Sequence, residues 1–111
     1  MAEYALASEA ENDLLEIGRY TAHTWGLEQT EHYLSKLDEH FLAIVEGTIQ
    51  ARVFMEDRPD LLYSHCEHHY VFFARGDVGG VLILAVFHEN MDLMVRLKER
   101  LEFGGDADEQ G

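Results

Sequence analysis

His69-Tyr-Val-Phe-Phe-Ala-Arg75, Gly76-Asp-Val-Gly-Gly80, Val81-Leu-Ile-Leu-Ala-Val-Phe-His88 and Glu89-Asn-Met-Asp92 follow one another without interruption. Aromatic and β-branched residues fill the two long runs, and Gly and Asp fill the gap between them, so the stretch reads as strand, turn, strand and helix start. Asn90 stands where a helix N-cap belongs. Strand periodicity puts Val81, Ile83, Ala85 and Phe87 on one side and Leu82, Leu84, Val86 and His88 on the other. In the first run, Val71 and Phe73 oppose Tyr70, Phe72 and Ala74. A half-exposed hairpin would alternate apolar with polar residues. Two apolar faces need two covers, and the second cover is expected to come in part from a partner chain.

Upstream, Tyr4-Ala-Leu-Ala7 reads as a short edge strand. Ser8 and Glu11 have the spacing of a capping box, which starts a helix. Ala10, Leu14, Ile17, Gly18, Thr21 and Trp25 recur at three and four residues, with Glu9, Asp13, Glu16 and Arg19 off that face. Gly26 ends this helix and a second begins near Leu27. Its stripe is Tyr33, Leu34, Leu37, Phe41, Ile44 and Val45, and Gly47 closes it. So short a connection makes the two helices an antiparallel hairpin. Leu14, Trp25, Leu37 and Phe41 are expected to be buried against the sheet. Residues 48–60 lack periodicity and read as loop, and Leu61-Leu-Tyr-Ser64 leads as a strand into His65-Cys-Glu-His-His69. A last helix is expected from about Met91 to Leu101, with Met94, Leu97 and Leu101 on its apolar side. The fold class is therefore α+β: an N-terminal strand, a helical hairpin on a three- to four-stranded, mainly antiparallel sheet, and a C-terminal helix. One domain spans 1–103, and the acidic stretch 104–111 reads as a disordered tail.

The chain has 111 residues and a net charge of −14 with histidines neutral. Its few basic residues have acidic neighbours, so direct nucleic-acid binding is disfavoured. No apolar run reaches membrane-span length, and the N-terminus does not read as a signal peptide. A lone Cys66 suits the cytoplasm. His65, Cys66, His68, His69 and His88 bring metal ligation to mind. An extended 65–69 would split them between two faces, and the spacing matches no zinc-finger pattern. No cofactor is called for. If the chain cleaved RNA it would need a general base, a general acid and a cation at the phosphate, and His88 with Arg75 are the candidates.

Four segments, in order, resemble the RelE/ParE toxin family. Ser8-Glu-Ala-Glu-Asn-Asp-Leu14 with Ile17-Gly-Arg-Tyr20 resembles its opening, and Trp25-Gly-Leu-Glu-Gln29 with Tyr33-Leu34 its second-helix start. His69-Tyr-Val-Phe-Phe73 resembles its third-strand signature. Ile83-Leu-Ala-Val-Phe-His88 with Met91-Asp92 resembles its last strand. The likeness spans roughly residues 3 to 101 and favours the ParE branch. Catalytic lysines of the RelE type have no counterpart, since Lys36 and Lys98 both fall on helices. The resemblance implies a bacterial toxin that serves plasmid or chromosomal stabilisation. A cognate antitoxin, ParD-like or of another type, would neutralise it in a hetero-oligomer, through a DNA-binding half and a toxin-wrapping tail. DNA gyrase is the implied target; ribosome-dependent mRNA cleavage, or antitoxin binding without toxicity, are the alternatives. The expected partner-binding residues are Tyr70, Phe72, Arg75, Leu82, Leu84, His88, Met91 and Arg96.

Overall fold

The computed structural model describes residues 4–76 and 80–110, with side chains as far as Glu102. In chain order the elements are β1 (Tyr4–Leu6), α1 (Ser8–Trp25), α2 (Leu27–Glu46), β2 (Arg52–Val53), β3 (Leu62–Cys66), β4 (His69–Arg75), β5 (Val81–His88) and α3 (Leu93–Gln110). The five strands form one sheet in the order β1-β5-β4-β3-β2. β1 runs parallel to β5, and the other neighbours are antiparallel. The sheet exceeds the expected three to four strands because Arg52 and Val53, inside the stretch read as loop, pair with Tyr63 and Leu62. Two residues are too few to show a period in the sequence.

α1 and α2 form the expected antiparallel hairpin. Ala10 and Ile17 of α1 join Leu37, Phe41 and Ile44 of α2 on Val71, Phe73, Val81, Ile83 and Val86 of the sheet. Burying such side chains stabilises the fold by roughly 1.5–3 kcal/mol each before entropy is counted. Leu37 and Phe41 are buried as expected, and Leu14 is half-buried. Trp25 is not buried: 69% of it is exposed. Thr21 is the last buried residue of α1, so the final turn overhangs the sheet edge. Gly26 ends α1 at φ 93°, with its N–H on the Ala22 carbonyl, and Gly47 ends α2 in the left-handed region at φ 80°. Both positions strain any residue with a Cβ.

The two faces of β5 are not those of a regular strand. Phe72 pairs with Ala85 and Phe73 with Ile83, so Leu84 is the extra residue of a β-bulge. The bulge reverses the alternation. Val81, Ile83 and Val86 face the helical hairpin, while Ala85 and Phe87 pack with Phe72 on the other face. The simple alternation expected from the sequence is thereby corrected at Ala85, Val86 and Phe87. That other face is covered by the chain itself, with Leu97 fully buried and Leu93, Leu101, Leu61, Phe54 and Met55 around it. Met94, expected on the apolar side of α3, is 39% exposed, and Leu93 takes its place.

Two caps and one helix end also differ from the sequence reading. Ala7 is the N-cap of α1 at φ −62°, its N–H continuing the ladder to the Ile83 carbonyl. Ser8 thus becomes the first helical residue, and its hydroxyl meets Glu9 instead of closing a box with Glu11. Asn90 is consumed in a turn, its N–H on His88 Nδ1, and Asp92 caps α3 by accepting the Val95 N–H at 3.2 Å. α3 runs on to Gln110, past the end expected near Leu101 and into the stretch expected as a tail. A docked first turn lets each further residue add one hydrogen bond. Arg96, Lys98 and Arg100 accordingly lie inside the helix and not at its end. The residues of the β4–β5 turn between Gly76 and Gly80 lie outside the described residues, apart from the Gly76 N–H bond to the Gly80 carbonyl.

Candidate functional site

Residues 65–69 are not one continuous extended segment. β3 ends at Cys66, Glu67 takes φ 55°, and β4 leaves at His69. The turn puts His65 and His68 on either side of one carboxylate. Glu89 Oε1 lies 3.0 Å from His65 Nε2, and Oε2 lies 3.0 Å from His68 Nδ1. Those two contacts hold the Glu89 carboxyl below the usual carboxylate range. Among the described residues, no group of three or more His, Cys, Asp or Glu side chains is arranged to hold a metal ion.

Behind this turn, an open groove of about 970 Å³ lies between the helical hairpin and the ends of β4 and β5. Ile17, Tyr20 and Trp25 of α1, Tyr33 of α2, His69, His88 and Met91 line it. Tyr20 and Trp25 present broad apolar faces to solvent. Tyr33 is fixed at both ends of its hydroxyl: it accepts the His68 N–H at 3.1 Å and donates to His69 Nδ1 at 2.6 Å. His69 is buried, and its pKa is pushed down to about 4 by that burial and by the neighbouring His88 and His68 rings. It therefore stays neutral and its Nδ1 can accept. The His69 and His88 rings meet edge to face at 5.2 Å. His88 Nδ1 accepts the Asn90 N–H at 3.1 Å, so it too is held as an acceptor. Lys36 is the one Lys or Arg lining this groove, and it is drawn to Glu67 at 3.7 Å. The groove offers rings and apolar surface, not a cluster of cations for phosphate.

The two residues considered for RNA cleavage are not brought together. Arg75 pairs with Val81 at one end of the β4–β5 hairpin and His88 with His69 at the other. Roughly 20 Å of strand separates those rungs. Arg75 serves the fold instead: its guanidinium donates to the Ile44 carbonyl at 2.9 Å, at the end of α2, and lies over the Phe73 ring. Of the expected partner-binding residues, Phe72 is wholly buried. Leu82 and Met91 are about two-fifths exposed, Tyr70 and Leu84 are half-buried, and Arg96 is on the surface beside Glu99. His88 and Met91 line the groove; Tyr70 and Leu84 border the face under α3.

One constellation was not read from the sequence. Asp13, placed there off the apolar face of α1, forms a bidentate pair with Arg100 of α3, both largely buried. The pair also reaches backbone: Asp13 Oδ2 accepts the Val86 N–H at 2.9 Å, and Arg100 Nη1 donates to the Leu84 carbonyl at 3.0 Å. The only signal was that Asp13 lies within one turn of Ala10, Leu14 and Ile17, on the flank of the apolar stripe.

Comparison with known sequences adds to this geometry. A family model described as ParE toxin of type II toxin-antitoxin system, parDE, matches residues 4–93. The chain is also similar to a Toxin ParE of Escherichia coli, 40% identical over 102 residues, covering 92% of this chain and 99% of the relative.

Proposed function

Because the chain belongs to the ParE toxin family of type II toxin-antitoxin systems, we propose that in its free form it inhibits DNA gyrase in the bacterial cytoplasm. The family also implies an antitoxin partner, and we take its hold on this chain to be what silences it.

The observation that carries inhibition over RNA cleavage is the make-up of the groove. Nδ1 of His69 and of His88 is engaged as an acceptor by Tyr33 and by the Asn90 N–H, His68 is tied to Glu89, and one lysine is the groove's complement of Lys and Arg among the described residues. A ribonuclease site needs cations convergent on phosphate as well as an acid and a base. Arg75, the cation considered for that role, is bound to the end of α2 at the far end of the hairpin. The surface that remains suits protein contact. Tyr20, Trp25, Leu27, Leu82, Met91 and Val95 are all 40% exposed or more. Exposed aromatic and aliphatic residues of this kind supply the anchors of protein interfaces. Tyr70, Leu82, Leu84, His88, Met91 and Arg96 are the residues we assign to partner contact, with Phe72 supporting them from beneath and Arg75 holding α2 in place.

Expression of the chain in a bacterium tests this reading. Growth should stop, and co-expression of the antitoxin from the adjoining reading frame should restore it. Ribosome-bound mRNA should stay intact throughout. Unimpaired growth would make the chain a binder of antitoxin without toxicity.

A further inference from the structure

β1 covers β5 only at Val81, Leu82 and Ile83. Past that point β5 has no neighbouring strand on the β1 side among the described residues, and the Asp13–Arg100 pair stands in the gap. The bonds it makes have a definite pattern. It donates to the carbonyl of Leu84 and accepts from the N–H of Val86, two residues on. A single residue of a parallel strand lying opposite Ala85 would make the same two bonds. The ion pair thus acts as one residue of a missing strand that would continue β1. Because Val86 turns its N–H away from β4, alternation turns the Val86 carbonyl and the His88 N–H to the same open side.

A groove of about 550 Å³ follows this edge. α1 walls it with Glu9, Asp13, Glu16 and Ile17, and α3 with Arg96, Glu99 and Arg100. Walls on both sides admit one extended chain. They exclude the edge of a second folded copy, which carries the same two helices beside its own β5. The walls hold four carboxylates and two guanidiniums, so side chains entering beside them are favoured when basic.

We propose that this edge of β5 receives an extended, basic tail of the antitoxin as a parallel strand, and that the Asp13–Arg100 pair holds the place of that strand in the free protein. The proposal rests on the family's implied antitoxin. Main-chain bonds along Leu84–His88 supply affinity, and the helical walls read the side chains. Unpaired strand edges invite unwanted pairing, and an inward-pointing charge pair is one way to blunt them until the proper partner arrives.

Amide hydrogen exchange, resolved by residue, tests this with the chain alone and with the antitoxin that co-purifies when the two adjoining reading frames are expressed together. Exchange at the His88 amide should slow at least tenfold in the complex. In the double variant Asp13→Ala/Arg100→Ala, studied at a temperature where it is folded, the antitoxin should bind several-fold more tightly, because nothing competes for the edge. A complex in which His88 exchanges as in the free chain would overturn the proposal, as would unchanged or weaker binding by the double variant. If the double variant does not fold, the His88 amide decides alone. Failure of any antitoxin to bind would defeat the partner reading itself, a different result from a complex that leaves β5 untouched.

Discussion

Tyr33 donates its hydroxyl hydrogen to His69 Nδ1 at 2.6 Å, joining the middle of α2 to the first residue of β4. The bond needs a neutral imidazole. Burial, with help from His88 and His68, keeps it so by lowering the His69 pKa from 6.5 to about 4. Between those values the unfolded chain binds a proton that the folded one refuses. Stability is therefore full above pH 6.5 and falls as the pH drops towards 4. His40, held down by burial and by His65, adds in the same direction. The loss from His69 should be about 3 kcal/mol. Thermal melts across this range should show a clearly shallower slope for His69→Asn than for the parent chain, and equal slopes would rule the linkage out.

Among the described side chains of α3, Leu97 is the one that is fully buried, and it sits on Phe72, Ala85 and Phe87. Leu97→Ala should cost about 3 kcal/mol. Because the Arg100–Asp13 clip is the other anchor of α3, the loss should appear as undocking of this helix, with the rest of the sheet retained. Urea denaturation followed by exchange at the α3 amides would show it. Uniform loss of protection across the whole chain would mean that α3 is no separate unit.

Arg75 has a structural task at the end of α2. Arg75→Ala removes the bond to the Ile44 carbonyl and the contact with Phe73. The expected cost is about 1 kcal/mol of stability, with toxicity kept. Growth assays beside denaturant melts separate the two effects. A stable variant that has lost all toxicity would return Arg75 to the functional site.

Much of this architecture was legible in the sequence because it follows from local patterns. The stripes of Leu37, Phe41 and Ile44, the stops at Gly26 and Gly47, and the apolar runs of β4 and β5 are each decided within a few residues. What the sequence hid depends on distant partners. Asp13 looks like a solvated acid until Arg100 arrives from the other end of the chain. The bulge at Leu84 follows from how β4 and β5 register, and Leu84 itself gives no sign of it. Ser8 and Glu11 match the capping box, but the ladder of β1 continues to Ala7 and starts the helix one residue early. At the site, the histidines were visible. Their grouping was hidden, because the turn at Glu67 brings His65 and His68 to the same carboxylate.

Trp25 shows how periodicity overreaches at a helix end. It fits the α1 stripe, yet it projects beyond the sheet at 69% exposure. As the chain's single tryptophan, it is a clean probe. Fluorescence of the free protein should resemble tryptophan in water and be readily quenched by iodide. Trp25→Ala should change stability by less than about 0.5 kcal/mol. A blue-shifted, protected emission would place this side chain in the core.

The supercoiling reaction of purified DNA gyrase tests the central claim most directly. The free chain, added without antitoxin, should block ATP-dependent supercoiling or trap cleaved DNA, and a stoichiometric amount of antitoxin should relieve the block. Gyrase that works unhindered, together with ribosome-dependent mRNA cleavage that is lost in His88→Ala or Arg75→Ala, would contradict the claim and make the chain a ribonuclease.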